Sequence, residues 1–158
     1  MTRPLSSADR EPVRAILERT GVFTGEEVRV ALSLIDERFA KPDDTDPYQF
    51  VVAESAAERR VVGYVCFGTT PLTTGTYDLY WIAVDPTFQG GGVGSLLVDA
   101  VLDAMRSAGG RLLLIETSSR AEYARTREFY DRAGMTIEAR VRDFYAPGDD
   151  RLIYARRV

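Results

Sequence analysis

Residues 89–95 read QGGGVGS, with four glycines between Gly90 and Gly94, directly ahead of the amphipathic run Leu96 to Met105. Glycine costs roughly 1 kcal/mol against alanine inside regular structure, so such a cluster marks backbone that turns sharply or lies against something. At the start of a helix that backbone has a definite chemistry. Its orphan N–H groups and the positive end of the helix dipole together form a site for an anion such as a phosphate. Composition limits what acid–base groups can accompany it. The chain has no histidine, which removes Ser-His-Asp and Cys-His nucleophiles and histidine-bound zinc. Proton transfer is left to Asp, Glu, Tyr or the single cysteine, Cys66, which also excludes an internal disulfide and a multi-cysteine metal site. Cys66 lies in the apolar stretch YVCFG with no imidazole to activate it, so it is expected to be buried and inert rather than to carry an acyl group.

The elements that must position these groups follow from spacing. EPVRAILERTG predicts a short helix with Pro12 in its first turn and Gly21 at its stop. Thr24 and Glu27 form a capping box ahead of a second helix, in which Val28, Ala31, Leu32 and Ile35 recur at helical spacing through Arg38. KPDDTDP predicts a loop. YQFVVAES, RRVVGYVCFGTT and TYDLYWIAV predict three strands of an antiparallel meander. The helix after the glycines should present Leu96, Leu97, Ala100, Val101 and Ala104 on one apolar face and stop at Gly109. RLLLIETS reads as a strand buried on both faces, and SRAEYARTREFYDRAG as a helix ending at Gly134. MTIEARVRDFY and DRLIYARRV close the chain as a hairpin turning at Pro147-Gly148. The expected order is ααβββαβαββ, an α+β or mixed α/β architecture with a mostly antiparallel sheet in one domain over residues 1–158.

Three phosphate-binding patterns can be set against QGGGVGSLL. A nucleotide P-loop needs a lysine after its last glycine, and none is present. A dinucleotide fingerprint needs a third Gly or Ala where this chain has Ser95 or Leu97, depending on the starting glycine. The remaining pattern, Gln89-x-x-Gly92-x-Gly94 between a strand and a helix, resembles the Q/R-x-x-G-x-G/A turn of the GNAT superfamily of acetyl-CoA-dependent N-acetyltransferases. The flanking WIAVDP, the following LLLIET and the later EFYDRAGM are similar to that family over residues 48–136.

The resemblance implies a set of roles. Gln89, Gly90, Gly91, Gly92, Val93, Gly94 and Ser95 would wrap the coenzyme A pyrophosphate. Ile82, Ala83 and Val84 would take the pantetheine arm as an added strand and polarise the thioester carbonyl, a form of strand addition. Tyr130, in Y-x-x-x-G-M, would donate a proton or hydrogen bond to the departing thiolate, or else serve as a core aromatic of its helix. Many members carry Asn where this chain has Tyr123, so Tyr123 would flank the pantetheine instead. A base is also required, because amines near neutral pH are mostly ammonium. By position Asp78 resembles the site of a catalytic Glu in some protein-acetylating members, and Glu116 on the neighbouring strand is the alternative; for each, an ordinary strand-end carboxylate is the competing reading. Strand alternation predicts that Asp78, Tyr80 and Ile82 share one face. Asp43, Asp44 and Asp46 form an acidic loop able to attract a cationic amine, or simply a solvated loop.

The net charge of −4 leaves no basic footprint for nucleic acid. No apolar segment suits a signal peptide or membrane span, so a cytoplasmic protein is expected. The functional expectation is direct transfer from acetyl-CoA to a primary amine, with a small cationic acceptor, no metal, and a possible homodimer. Alternatives are an acceptor on a protein N-terminus or lysine, a catalytically silent acyl-CoA-binding or regulatory module, and an interaction protein using the arginine-rich segment 120–132.

Overall fold

The computed structural model describes residues 1–41 and 47–158, so Asp43, Asp44 and Asp46 lie outside the described residues. In chain order the elements are β1 (Thr2–Pro4), α1 (Arg10–Thr20), α2 (Gly25–Ala40), β2 (Tyr48–Ser55), β3 (Arg60–Thr69), β4 (Thr76–Val84), α3 (Val93–Ser107), β5 (Leu112–Ser118), α4 (Ala124–Arg132), β6 (Thr136–Ala146) and β7 (Asp149–Arg157). Among the described residues they build one mixed α/β domain around a seven-stranded sheet in the order β1-β2-β3-β4-β5-β7-β6. The predicted meander and closing hairpin are present, and the β4–β5 pair is parallel. The expected order lacked β1. Its three residues, one of them Pro4, carry no alternation to read, and they become a strand by pairing with Val51–Ala53 of β2.

Two apolar layers cover the sheet. α1 and α2 bring Val13, Ile16, Leu17 and Ile35 onto the face of Val52, Tyr64, Cys66 and Ala83. Cys66 is fully buried there, as its apolar setting predicts. α2 starts at the expected capping box: the Glu27 N–H donates to Thr24 Oγ1 (3.2 Å) and the Thr24 N–H donates to Glu27 Oε2 (2.7 Å). The opposite face packs Val65, Phe67, Leu79, Leu113 and Ile115 against α3. Here α3 is rotated from its expected phase. It buries Leu97, Val98, Val101, Leu102 and Met105, whereas Leu96 is 41% exposed. Leu96–Val98 and Ala100–Leu102 are both unbroken apolar triplets, so two adjacent faces were available and packing chose the bulkier one. In β5, Leu113 and Ile115 are fully buried but Leu112 and Leu114 only partly, so burial on both faces is incomplete.

β4 is irregular in two ways. Cys66 faces Trp81 while Phe67 faces Leu79, so Tyr80 is the extra residue of a β-bulge. The bulge reverses the alternation: Leu79 and Ile82 both pack toward α3, while Trp81 and Ala83 face α1 and α2. Asp78, Tyr80 and Ile82 therefore do not share a face, contrary to expectation. The second irregularity is where pairing ends. Thr76–Leu79 pair with Leu112–Ile115, and the parallel ladder stops there. Beyond it β4 stays with β3 and β5 stays with β7, so the two strands diverge and open a wedge in the sheet.

Immediately after β4, Asp85 caps the 3-10 turn Pro86–Phe88. Its side chain is fully buried, meets Arg60 (2.8 Å) and Arg19 (2.9 Å), and accepts from the Thr87 N–H (3.0 Å) and hydroxyl (2.7 Å). Burial opposes its charge, yet the hydrogen bonds from Arg60 and Thr87, with the charge of Arg19, bring its carboxyl down to about 2. A depressed carboxyl stabilises the fold above its unfolded pKa near 3.9 and ceases to do so as pH falls toward 2. Asp85→Asn is expected to lower Tm by roughly 5–10 °C at neutral pH, the scale for breaking a buried ionic network. Thermal melts should show the gap to wild type shrinking between about pH 4 and pH 2; a gap independent of pH would refute this account.

Candidate active site

The wedge between β4 and β5 opens into a cleft of about 980 Å³. The β4 wall is Leu79–Val84, which includes Ile82, Ala83 and Val84; beyond Leu79 it has no strand partner on its β5 side among the described residues. Gln89, Gly90, Gly92, Gly94 and Ser95 line one end, and Tyr130, Tyr123 and Glu116 line the interior. The structure thus brings together most of the residues singled out from sequence; Gly91 and Val93 complete the turn without lining the cleft.

The turn is built for close approach to its backbone. Gln89 Nε2 donates to the Val84 carbonyl (3.1 Å), tying the turn to the end of β4. Gly92 caps α3 with φ +84°, a conformation most side chains avoid. The N–H groups of Gly92, Val93, Gly94 and Ser95 have no acceptor among the described residues, so four donors stand free at the positive end of a fifteen-residue helix. Gly94 serves a different purpose. Its backbone is helical, and a Cβ there would lie 2.9 Å from Phe129 Cε2, so it permits α4 to pack closely. Arg125 and Arg132, four residues before and three after Phe129, share that face of α4 and also line the cleft.

Tyr130 is 5% exposed, with its ring against Phe129 (5.6 Å) and Tyr154 (5.4 Å). Its hydroxyl takes no hydrogen bond from the described residues, and it is not among the buried polar atoms left without a partner, as befits a residue that lines the cleft. Burial, with smaller contributions from Tyr123 and Tyr154, pushes the phenol well above its ordinary value and keeps it protonated. Tyr123 lies at the start of α4, and its hydroxyl approaches the Val22 carbonyl at 3.5 Å across the cleft.

The two candidate bases are separated. Asp78 sits in the paired part of β4, outside the cleft lining, and accepts from Thr70 Oγ1 at 2.6 Å. Glu116 lies in the diverging part of β5 and lines the cleft. Arg151 of β7 engages its Oε1, and the Arg151 guanidinium stacks on Phe144 (4.8 Å). Sequence reasoning missed several lining groups: Glu27, Phe23, Trp81, Tyr145 and Asp149. Glu27 was legible only as a helix cap, and nothing local signalled that the closing hairpin would reach the cleft. Among the described residues no group of three or more His, Cys, Asp or Glu side chains could hold a metal ion, and no helix is long and apolar enough to cross a membrane.

The sequence profile of the acetyltransferase (GNAT) family matches residues 13–135, which contain both the turn and Tyr130. The chain belongs to this family. A GNAT-family protein from Desulfovibrio desulfuricans is 44% identical, with 99% of this chain and 98% of that one covered and a TM-score of 0.91. The ribosomal-protein-S18-alanine N-acetyltransferase from Escherichia coli shares the fold at 19% identity and a TM-score of 0.77, over 100% of this chain and 93% of its own. An aminoglycoside 6'-N-acetyltransferase complexed with coenzyme A does so at 12% identity and 0.75, over 99% and 96%. A search of curated proteins found no match. As a GNAT acetyltransferase the protein is an enzyme of a family that uses acetyl-CoA. The two distant structures act on unlike acceptors yet fit this chain almost equally well, so the shared fold does not choose between a protein and a small amine.

Proposed function

We propose that the enzyme transfers an acetyl group from acetyl-CoA directly to a primary amine in a ternary complex, and that the acceptor is a small cationic amine. The observation that carries this reading is the partnerless hydroxyl of the buried Tyr130 in the same cleft as the free amides of the glycine turn. The pyrophosphate is assigned to the N–H groups of Gly92–Ser95, with Arg125 as a nearby cation. The pantetheine is assigned to the unpaired edge at Ile82–Val84, where an N–H also polarises the thioester carbonyl. Glu116, directly or through water, removes a proton from the ammonium. The amine nitrogen then attacks the carbonyl carbon, the C–S bond breaks as Tyr130 donates its proton to the departing thiolate, and the nitrogen sheds its remaining extra proton through water in the cleft to restore the phenol. Asp78, held by Thr70 away from the cleft, has no part in this scheme.

Titration calorimetry with acetyl-CoA tests the donor half, and the absence of binding at high micromolar concentration would sink it. Tight binding without acetylation of any amine in a broad panel would instead mark a binding module. The base assignment has its own expected result. Glu116→Gln should lose activity near neutral pH by roughly 10²- to 10⁴-fold and recover as pH rises and free amine becomes abundant. Asp78→Asn should keep the wild-type pH–rate profile. The reverse outcome moves the base to Asp78, and unchanged profiles in both point to deprotonation by bulk-connected water.

A further inference from the structure

We propose that Glu27 and Asp149 form a receptor for a second positive charge on the acceptor, so that the preferred substrate is a small diamine, or another amine with a second cation a short chain away. The inference rests on the acetyl-transfer reading above and concerns the end of the cleft away from the glycine turn.

Four carboxylates line the cleft: Glu27, Glu116, Glu128 and Asp149. Two are in ion pairs, Glu116 with Arg151 and Glu128 with Arg132 at 3.8 Å. Glu27 and Asp149 are in no ion pair among the described residues. Asp149 is only 7% exposed, and its side chain meets the Ser118 hydroxyl. Glu27 spends Oε2 on the Thr24 N–H. Of the cleft's cations, Arg151 is paired with Glu116, and Arg120, whose charge also reaches Asp149, forms its ion pair with Glu122 at 3.3 Å. Asp149 is almost wholly buried with a hydroxyl as its side-chain partner, and a ligand cation would offset the cost of burying its charge.

The surroundings suit such a cation. β6 loses its register with β7 between Val141 and Ala146. Asp143 there adopts φ +52°, its N–H donates to Asp150 Oδ1 (2.9 Å), and its own Oδ1 accepts from the Gly148 N–H (2.7 Å). This pinned excursion carries Tyr145 to the cleft wall. Tyr145 and Tyr123 both line the cleft, and aromatic rings attract ammonium groups. Both phenols are raised, chiefly by burial; Glu27 and Asp149 add to this at both rings, while Arg120 opposes it at Tyr123.

The test compares 1,4-diaminobutane with 1-aminobutane, which differ by the second ammonium, at saturating acetyl-CoA. Calorimetry of 1,4-diaminobutane binding to the protein–coenzyme A complex supplies a readout independent of turnover. Wild type should favour the diamine in kcat/KM by at least about 10-fold, the factor expected of one hydrogen bond to a charged group. Glu27→Gln, which keeps the capping-box acceptor, should cut that preference and diamine binding by about 10-fold, mostly through KM, with acetyl-CoA affinity retained. Asp149→Asn should do the same; if it fails to fold, Glu27→Gln still decides. A wild-type preference near one, a preference untouched in Glu27→Gln, or acetylation of a peptide N-terminus ahead of the diamine overturns the proposal while leaving acetyl transfer standing. If acetyl-CoA itself does not bind, the acetyl-transfer reading fails and this one fails with it.

Discussion

Tyr130→Phe is expected to lower kcat by roughly 10- to 1,000-fold while leaving acetyl-CoA affinity within about twofold, the signature of losing an interaction made only in the transition state. The substitution removes one oxygen. Tyr130 packs through its ring against Phe129 and Tyr154, and those contacts survive in phenylalanine. Because the hydroxyl bonds to nothing else in the described chain, its loss strands no buried partner, and Tm should stay level or rise slightly. That separates this tyrosine from a core residue kept for stability. Its raised phenol stays protonated across the physiological range, so the alkaline limb of the pH–rate profile should not belong to it. Stopped-flow release of the thiol, measured beside calorimetric acetyl-CoA binding, checks both halves. An unchanged kcat would remove Tyr130 from the chemistry and return it to the core.

The second large effect concerns Gly92. Gly92→Val should weaken acetyl-CoA binding by at least about 100-fold, with a stability loss of only about 1–3 kcal/mol for backbone strain. A Cβ at Gly92 would meet no atom within 4 Å, so the protein has room for the side chain. What valine cannot keep is φ +84°, and relaxing it swings the N–H groups of Val93, Gly94 and Ser95 off their common direction. Gly94→Val makes the contrasting control. Its helical backbone accepts valine, but the added atoms press on Phe129, so the first loss should be in stability and the loss of affinity should follow from displacement of α4. Circular-dichroism melts beside calorimetry distinguish the two. Full affinity in Gly92→Val would mean that the turn serves only to reverse the chain.

Legibility followed distance along the chain. The anion turn, the capping box of α2 and the helix carrying Tyr130 each lie within about ten consecutive residues, and local backbone preferences and side-chain spacing specify them. The meander and the final hairpin were legible because alternation and turn residues coincide there. The position of Asp78 relative to the cleft was not. A single extra residue at Tyr80 reverses every later side chain of β4, and nothing in TYDLYWIAV distinguishes a bulged strand from a regular one.

What the sequence alone determined was the family, the element order apart from β1, the glycine turn and the tyrosine beside it. Only the tertiary structure decided which of two apolar faces α3 buries, where the β4–β5 ladder stops, and which carboxylates line one cleft. Glu27 from a helix cap, Glu116 from a strand end and Asp149 from a hairpin are separated by 33 to 122 residues, and they converge because packing on both faces of the sheet leaves β4 with β3 and β5 with β7. Local preferences extend over a turn or two of chain; the choice among equally apolar faces and registers belongs to the whole core, which gains most where the bulkiest residues are buried together.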